Sequence, residues 1–263
     1  MTGPTTTAFS DLLRKAVTEP GIISEAYRQF HQYSVGNQLL AWQQCTERGI
    51  RPGPLATYPR WQEFGRHVKK GEKALTLCMP LTVKKTRTQE DGTEEVDAFT
   101  RFVYRPHWFV LAQTEGAEVP PTPIPPWDAG RALQTLGIDE IPFDLTDGNC
   151  LGFARGRSIA ISLLTPLPHK TRFHELAHVL LGHTAEHQQS DGEVTPRNLR
   201  ECEAEAVALV CCAALDLPGV EDSRGYIQSW WGAGNPIPER SAQRVLKVAD
   251  QILKAGADTE VRA

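Results

Sequence analysis

An α+β fold in two domains is predicted for this chain of 263 residues by three observations. Residues that favour strands crowd into Ala74–Val83 and Phe99–Val110, on either side of a polar loop containing Asp91 and Gly92. Five prolines break the chain between positions 120 and 126. After them, helical periodicity dominates.

Taken in order, Glu25–Phe30 and Asn37–Thr46 have helix-forming composition, and so does Pro59–His67, since proline is tolerated in a first helical turn. The two strand-like segments then form a pair across the polar stretch Thr88–Asp97. Glu115–Asp128, with Pro120, Pro121, Pro123, Pro125 and Pro126, favours extended backbone and reads as a linker. The predicted division is therefore a first domain at 1–114, the linker at 115–128 and a second domain at 129–263. Within the second, Ser158–Leu163 is a short apolar strand, followed by helices at Lys170–Leu181, Arg200–Leu215 and Ala242–Lys254.

Composition excludes several classes. With 40% hydrophobic and 23% charged residues the chain has enough apolar surface to fold, so wholesale disorder is excluded. No signal-peptide core or run of about 18 apolar residues occurs, so the expected location is the cytoplasm, with no membrane partner. Cys45, Cys78, Cys150, Cys202, Cys211 and Cys212 form no CxxC pair and read as reduced, mostly buried residues. Residues 1–112 hold 15 Lys and Arg against 11 Asp and Glu, whereas the remainder holds 13 against 21, which suggests two units with different partners.

The chemistry concentrates at His174-Glu175-Leu176-Ala177-His178. On a helix the two histidines stand one turn apart on one face, where both imidazoles can meet one cation. Phe173, Leu176, Ala177 and Leu180 occupy the opposite side, so the helix turns its back to the core and its histidines to a cleft. Neutral imidazoles suit Zn²⁺, and Glu175, beside the metal, is placed to move a proton for a bound water. A second acidic helix follows at Arg200–Ala208, where Glu201 and Glu205 share one face and Glu203 points to the other. We assign Glu201 as the third zinc ligand and Glu205 as the carboxylate that accepts a ligand histidine's second N–H, with the reverse assignment left open. The metzincin pattern is rejected because its glycine and third histidine would fall on Leu181 and Thr184. His183 and His187 read as surface or loop residues, with His187 open as an alternative ligand.

The strings TRFHELAHVLLGH and RECEAEAVALVCCAALDL resemble the gluzincin-type metallopeptidases related to the ImmA/IrrE group. The resemblance implies a zincin-like fold and a glutamate ligand on the second helix, in agreement with Glu201, and puts Glu205 where relatives carry an outer-shell Asn or Asp. Tyr226-Ile227-Gln228-Ser229-Trp230 is also similar to that group, which makes the Tyr226 hydroxyl a candidate donor to a developing oxyanion, against a plain packing role.

Arg51–Arg87 carries nine basic side chains, only two acids (Glu63 and Glu72), and interleaved Tyr58, Trp61 and Phe64. Basic groups attract phosphates and aromatics stack on bases, yet composition alone favours a solvated basic face with the aromatics in the core. The runs HQYSVGNQLLAWQQ, TYPRWQEFGRHVKKGEKALTLCMP and WFVLAQTEGAEVP resemble the amino-terminal domain of ArdC-type antirestriction proteins, which implies single-stranded DNA binding ahead of a zincin-like domain. Motif position and side-chain chemistry together nominate Tyr33, Asn37, Trp61, Arg66, Lys69, Lys70 and Lys73 as DNA contacts with little sequence preference, and put Trp42 and Phe64 in the core. The implied function is protection of incoming plasmid or phage DNA from host restriction. The alternatives are an ImmA/IrrE-like regulatory protease cleaving a DNA-bound repressor, and a non-enzymatic binder with structural zinc.

Overall fold

The computed structural model describes residues 8–88, 94–120, 122–145, 150–184, 196–231 and 237–258, with side chains left out at 83–88, 94–100 and 230–231. Elements in chain order are α1 (Phe9–Thr18), α2 (Ile22–Phe30), α3 (Val35–Glu47), β1 (Leu55–Thr57), α4 (Tyr58–Glu63), β2 (Arg66–Val68), β3 (Leu75–Thr88), β4 (Glu94–Val110) and β5 (Thr114–Gly116). There follow α5 (Ala129–Leu136), β6 (Asp139–Glu140), β7 (Gly152–Arg155), β8 (Ser158–Ile161), α6 (Pro168–Leu180), α7 (Arg197–Ala214), α8 (Val220–Trp231) and α9 (Glu239–Gly256). Mixed helix and strand agree with the predicted α+β class. The Asp91-Gly92 loop lies outside the described residues.

The chain divides into two compact units, one of residues 1–6 and 40–121 and one of residues 7–39 and 122–263. This differs from the expected division at 114 and 129, because α1 and α2 bury an apolar stripe of Leu12, Leu13, Ala16, Val17, Ile23, Ala26 and Phe30 against helices of the second unit. The linker is likewise absorbed at its ends. Thr114–Gly116 pairs with β2 as β5. Trp127 packs edge-on against Phe173 at 5.1 Å and bridges Ala257, and Asp128 caps α5 by accepting Arg131 N–H at 2.7 Å.

In the first unit β1, β4 and β3 form an antiparallel sheet in that order, and β2 pairs with β5. Leu55, Trp61, Leu75, Leu77 and Val110 build its core. Two side-chain amides finish what the short strands leave open. Gln44 both accepts from Thr76 N–H and donates to Thr76 C=O, at 2.9 Å each, as a neighbouring strand would. Buried Gln113 accepts from Val110 N–H and donates to Glu72 and the Lys73 carbonyl. The helix expected over Pro59–His67 stops at Glu63 because Gly65, at φ 69°, turns the chain into β2.

In the second unit β8 is the centre of a three-stranded sheet, parallel to β6 and antiparallel to β7. α6 lies on β7 and β8 and also packs against α7 and α9. α7 is buried from Cys202 through Cys212, and its alanines, valines and cysteines let α6 approach closely. Burying Phe173 and Leu176 fully stabilises this contact by about 1.5–3 kcal/mol per side chain. All six cysteines are free thiols, as expected, and burial pushes Cys212 up to about 12. Among the described residues no helix is long and apolar enough to cross a membrane.

Candidate metal centre

α6 starts at Pro168, whose missing N–H costs nothing in a first turn, and turns Phe173, Leu176 and Ala177 inward at 0% exposure. His174 and His178 therefore emerge together on the far edge, where Glu201 and Glu205 of α7, also one turn apart, face them. The Nε2 atoms of His174 and His178 are 3.1 Å apart. Glu201 Oε2 lies 3.4 Å from the first and 3.5 Å from the second. One ligand atom from each of these three residues falls within 4.8 Å of the others, a grouping able to hold a metal ion.

Glu205 occupies a different position. Its Oε2 meets His174 Nδ1 at 2.9 Å and its Oε1 meets Lys170 Nζ at 2.8 Å. A carboxylate can only accept, so His174 keeps a proton on Nδ1, and Nε2 is the nitrogen turned toward His178 and Glu201, free to bind a cation once its own proton is displaced. This geometry separates the two acids, with Glu201 at the centre and Glu205 behind a histidine.

The electrostatics agree with a site built for positive charge. Burial opposes the His174 cation, but hydrogen bonds to Glu201 and Glu205 outweigh it and raise the imidazole to about 9. Hydrogen bonds from His174 and then His178 hold the Glu201 carboxyl far below its ordinary range. Burial pushes Glu205 up, yet His174, Lys170 and Ser223 bring it down to about 2. Glu175, 7% exposed, moves the other way because burial outweighs the attraction of His174 and His178.

The centre opens on a cleft of about 290 Å³ lined by Glu175, His178, His183, Arg197, Arg200, Glu201, Thr184 and Ala154 of β7. Tyr226, 39% exposed, borders an adjoining, more open hollow with Glu201, Arg197 and Asn198. His183 is a correction. Its side chain is 4% exposed and stands behind His178, not on the surface. His187 lies outside the described residues. Arg197 and Arg200, which the sequence did not single out, carry no motif and face the cleft only because α7 turns them there.

The nominated DNA contacts fare unevenly. Trp61 is a second correction. It is 1% exposed and donates Nε1–H to the Phe109 carbonyl at 2.8 Å, so it is a core residue of the first unit. Phe64, expected in the core, is 39% exposed, with the Arg60 guanidinium 4.5 Å above its ring, because α4 ends before it and Gly65 turns the chain outward. Arg66 donates to Thr114 and to the Gly116 and Ala117 carbonyls, which makes it a clasp on the β2–β5 pair. Lys69, Lys70 and Lys73 are exposed, with Lys69 Nζ also bonded to the Ala112 carbonyl at 2.9 Å. Tyr33 and Asn37 are half-buried and belong to the second unit.

Residues 14–107 match the family model of the N-terminal domain of anti-restriction factor ArdC. The chain's fold is similar to that of the crystal structure of the antirestriction ArdC protein from plasmid R388 in a metal-free form, with a TM-score of 0.51 at 19% identity over 94% of this chain and 97% of that one. The Mn(II)-bound structure of the same R388 protein compares at a TM-score of 0.49 and 19% identity, over 97% of this chain and 100% of that one. No curated protein sequence matches the chain. Residues 14–107 are thus similar to an ArdC-type amino-terminal domain, and the fold of the chain resembles that of the R388 ArdC protein.

Proposed function

We propose that this ArdC-like chain is an antirestriction protein that binds single-stranded DNA and carries a zinc metallopeptidase-like centre, protecting incoming plasmid or phage DNA from host restriction. The observation that carries the reading is the convergence of His174, His178 and Glu201, with buried Glu175 on the same cleft. A tetrahedron with bonds of about 2.0–2.1 Å has edges of roughly 3.4 Å, so the spacings of 3.1, 3.4 and 3.5 Å fit Zn²⁺ with little adjustment. Three protein ligands leave a fourth position for water.

Zinc, when bound, acidifies such a water and polarises a carbonyl. The chain's own residues supply the rest. Glu175 takes a proton on its carboxylate and returns it to a leaving amine, and its low exposure keeps that carboxylate basic. Glu205 holds His174 so that Nε2 points inward. Tyr226, beside Glu201, donates its hydroxyl to the carbonyl oxygen as charge develops there. Ala154 brings the edge strand β7 to the cleft, where an extended peptide can pair. In the first unit, exposed Lys69, Lys70 and Lys73 supply backbone attraction to DNA.

The test is restriction challenge in cells with wild-type and Glu175→Gln proteins, alongside zinc content and oligonucleotide mobility shifts. Loss of protection with zinc and DNA binding intact supports chemistry at the centre. Full protection by Glu175→Gln refutes a catalytic role and leaves a binder with structural zinc. Equal affinity for single and double strands refutes the DNA assignment. If single-strand binding holds, replacing Lys69, Lys70 and Lys73 by Gln flattens the salt dependence by about 0.7 in slope for each phosphate that is no longer neutralised.

A further inference from the structure

Behind the cleft, on the side away from Glu205, His178 has a support of its own. α6 ends in a Schellman turn, with Gly182 at φ 77°, Gly182 N–H on the Val179 carbonyl at 3.1 Å and His183 N–H on the His178 carbonyl at 2.9 Å. That turn folds His183 back over the helix end and brings its Nδ1 to 3.0 Å from His178 Nδ1. His183 Nε2 lies 3.1 Å from Glu203 Oε2. Glu203, the acid of α7 that faces away from Glu201 and Glu205, is 2% exposed and pairs with Arg244 of α9 at 3.7 Å. Arg244 also donates to the Leu181 carbonyl at the end of α6.

We propose that His183 and Glu203 are positioning residues that fix the tautomer and ring orientation of His178, so that its Nε2 lone pair faces the cation. The inference rests on the metal-centre reading above. The protons follow from the partners. Glu203, ionised beside Arg244, can only accept, so His183 Nε2 is the donor and its Nδ1 is left as an acceptor. His178 Nδ1 must then donate to it, and the remaining lone pair of His178 lies on Nε2. Glu205 imposes the same tautomer on His174. The two Nε2 atoms and the Glu201 carboxylate thus converge; without metal they share protons among themselves, and a cation that displaces those protons meets two imidazole lone pairs and a carboxylate. On one histidine the support is a carboxylate directly; on the other it is an imidazole that relays a carboxylate.

The experiment measures Co²⁺ and Zn²⁺ affinity of the full chain by competition with a chromophoric chelator, the visible spectrum of the Co²⁺ form, and the thermal midpoint of the metal-free protein. Variants are His183→Leu, His183→Gln and Glu203→Gln, with His174→Ala as the ligand-loss control. His183→Leu is expected to weaken metal binding by about 10- to 100-fold and alter the Co²⁺ spectrum, as outer-shell losses do, beyond the lowered metal-free midpoint that follows from leaving buried Glu203 short of a donor. His183→Gln, whose side-chain carbonyl can accept from His178 Nδ1, is expected to recover most of that affinity. Should His183→Leu fail to fold, Glu203→Gln carries the test, with several-fold weaker binding expected. Unchanged affinity and spectrum overturn the proposal, as does a loss that merely tracks a lowered metal-free midpoint, or His183→Gln binding no better than His183→Leu. A wild-type chain that binds neither metal overturns the metal-centre reading itself, and with it the relay.

Discussion

Gly152→Ala tests how tightly the β7 edge is fitted to the helix that carries the site. A methyl group at Gly152 would sit 2.7 Å from Thr171 Cγ2, 3.0 Å from Glu175 Oε1 and 3.1 Å from Glu175 Cγ. Carbon atoms pack at about 3.5–4.0 Å, so the nearest pair must open by roughly 0.8 Å. Thr171 cannot simply rotate, because it is β-branched and its hydroxyl is bonded to the Leu167 carbonyl at 3.2 Å and to Thr165 Oγ1 at 3.0 Å. Overpacking of this kind costs about 1–3 kcal/mol, offset by about 0.4–1 kcal/mol from the stiffer unfolded chain. The net expectation is about 1–2 kcal/mol of destabilisation, a fall of roughly 2–8 °C in the thermal midpoint for a chain of this size. Thr171→Ser removes Cγ2 and keeps the hydroxyl, leaving the conflict with the more flexible Glu175. A double-mutant cycle should therefore show Gly152→Ala better tolerated in the Thr171→Ser background, with coupling of at least about 0.5 kcal/mol. Additive effects, or a Gly152→Ala protein as stable as wild type, would refute the packing argument.

Three further outcomes are expected. Gly225, in α8 with no heavy atom within 4 Å of an added Cβ, should gain about 0.4–1 kcal/mol as Gly225→Ala, and a drop in the thermal midpoint would contradict the open space around it. Trp61→Phe should cost about 1–3 kcal/mol through loss of the Nε1–H bond to the Phe109 carbonyl and of part of the buried ring, while leaving the oligonucleotide affinity of the folded protein unchanged; weaker binding at unchanged stability would return Trp61 to the DNA surface. Glu239 caps α1 by accepting from Phe9 and Ser10 N–H; burial raises its carboxyl, but these bonds and that of Gln243 together outweigh it and lower it below the ordinary 4.5. Its contribution, roughly 0.5 kcal/mol after allowing for its exposure, should be present above about pH 5 and vanish as pH falls through the lowered value, so Glu239→Gln and wild-type midpoints should converge in acid and differ at neutral pH.

Much of the site was legible in the order of residues because helical geometry is local. Two histidines four apart, or two glutamates four apart, share a face wherever the helix sits, and the apolar run of Phe173, Leu176 and Ala177 says which way that face turns. The long strand pair was legible for the same reason, since composition and turn residues act on neighbours. Which acid meets Nε2 and which meets Nδ1 depends on how α6 and α7 cross, so in sequence alone Glu201 and Glu205 are exchangeable and only the tertiary distances separate them. Trp61 and Phe64 exchanged roles because a helix ended one residue before Phe64, a boundary that local propensity resolves poorly. His183 looked like a loop residue because its partners, Glu203 and Arg244, lie on other helices. The chain by itself thus determined the chemistry of the two facing helix edges and the α+β class. Only packing decided that α1 and α2 join the second unit, that Trp61 is core and that His178 has a buried relay, because each depends on contacts between residues far apart in sequence.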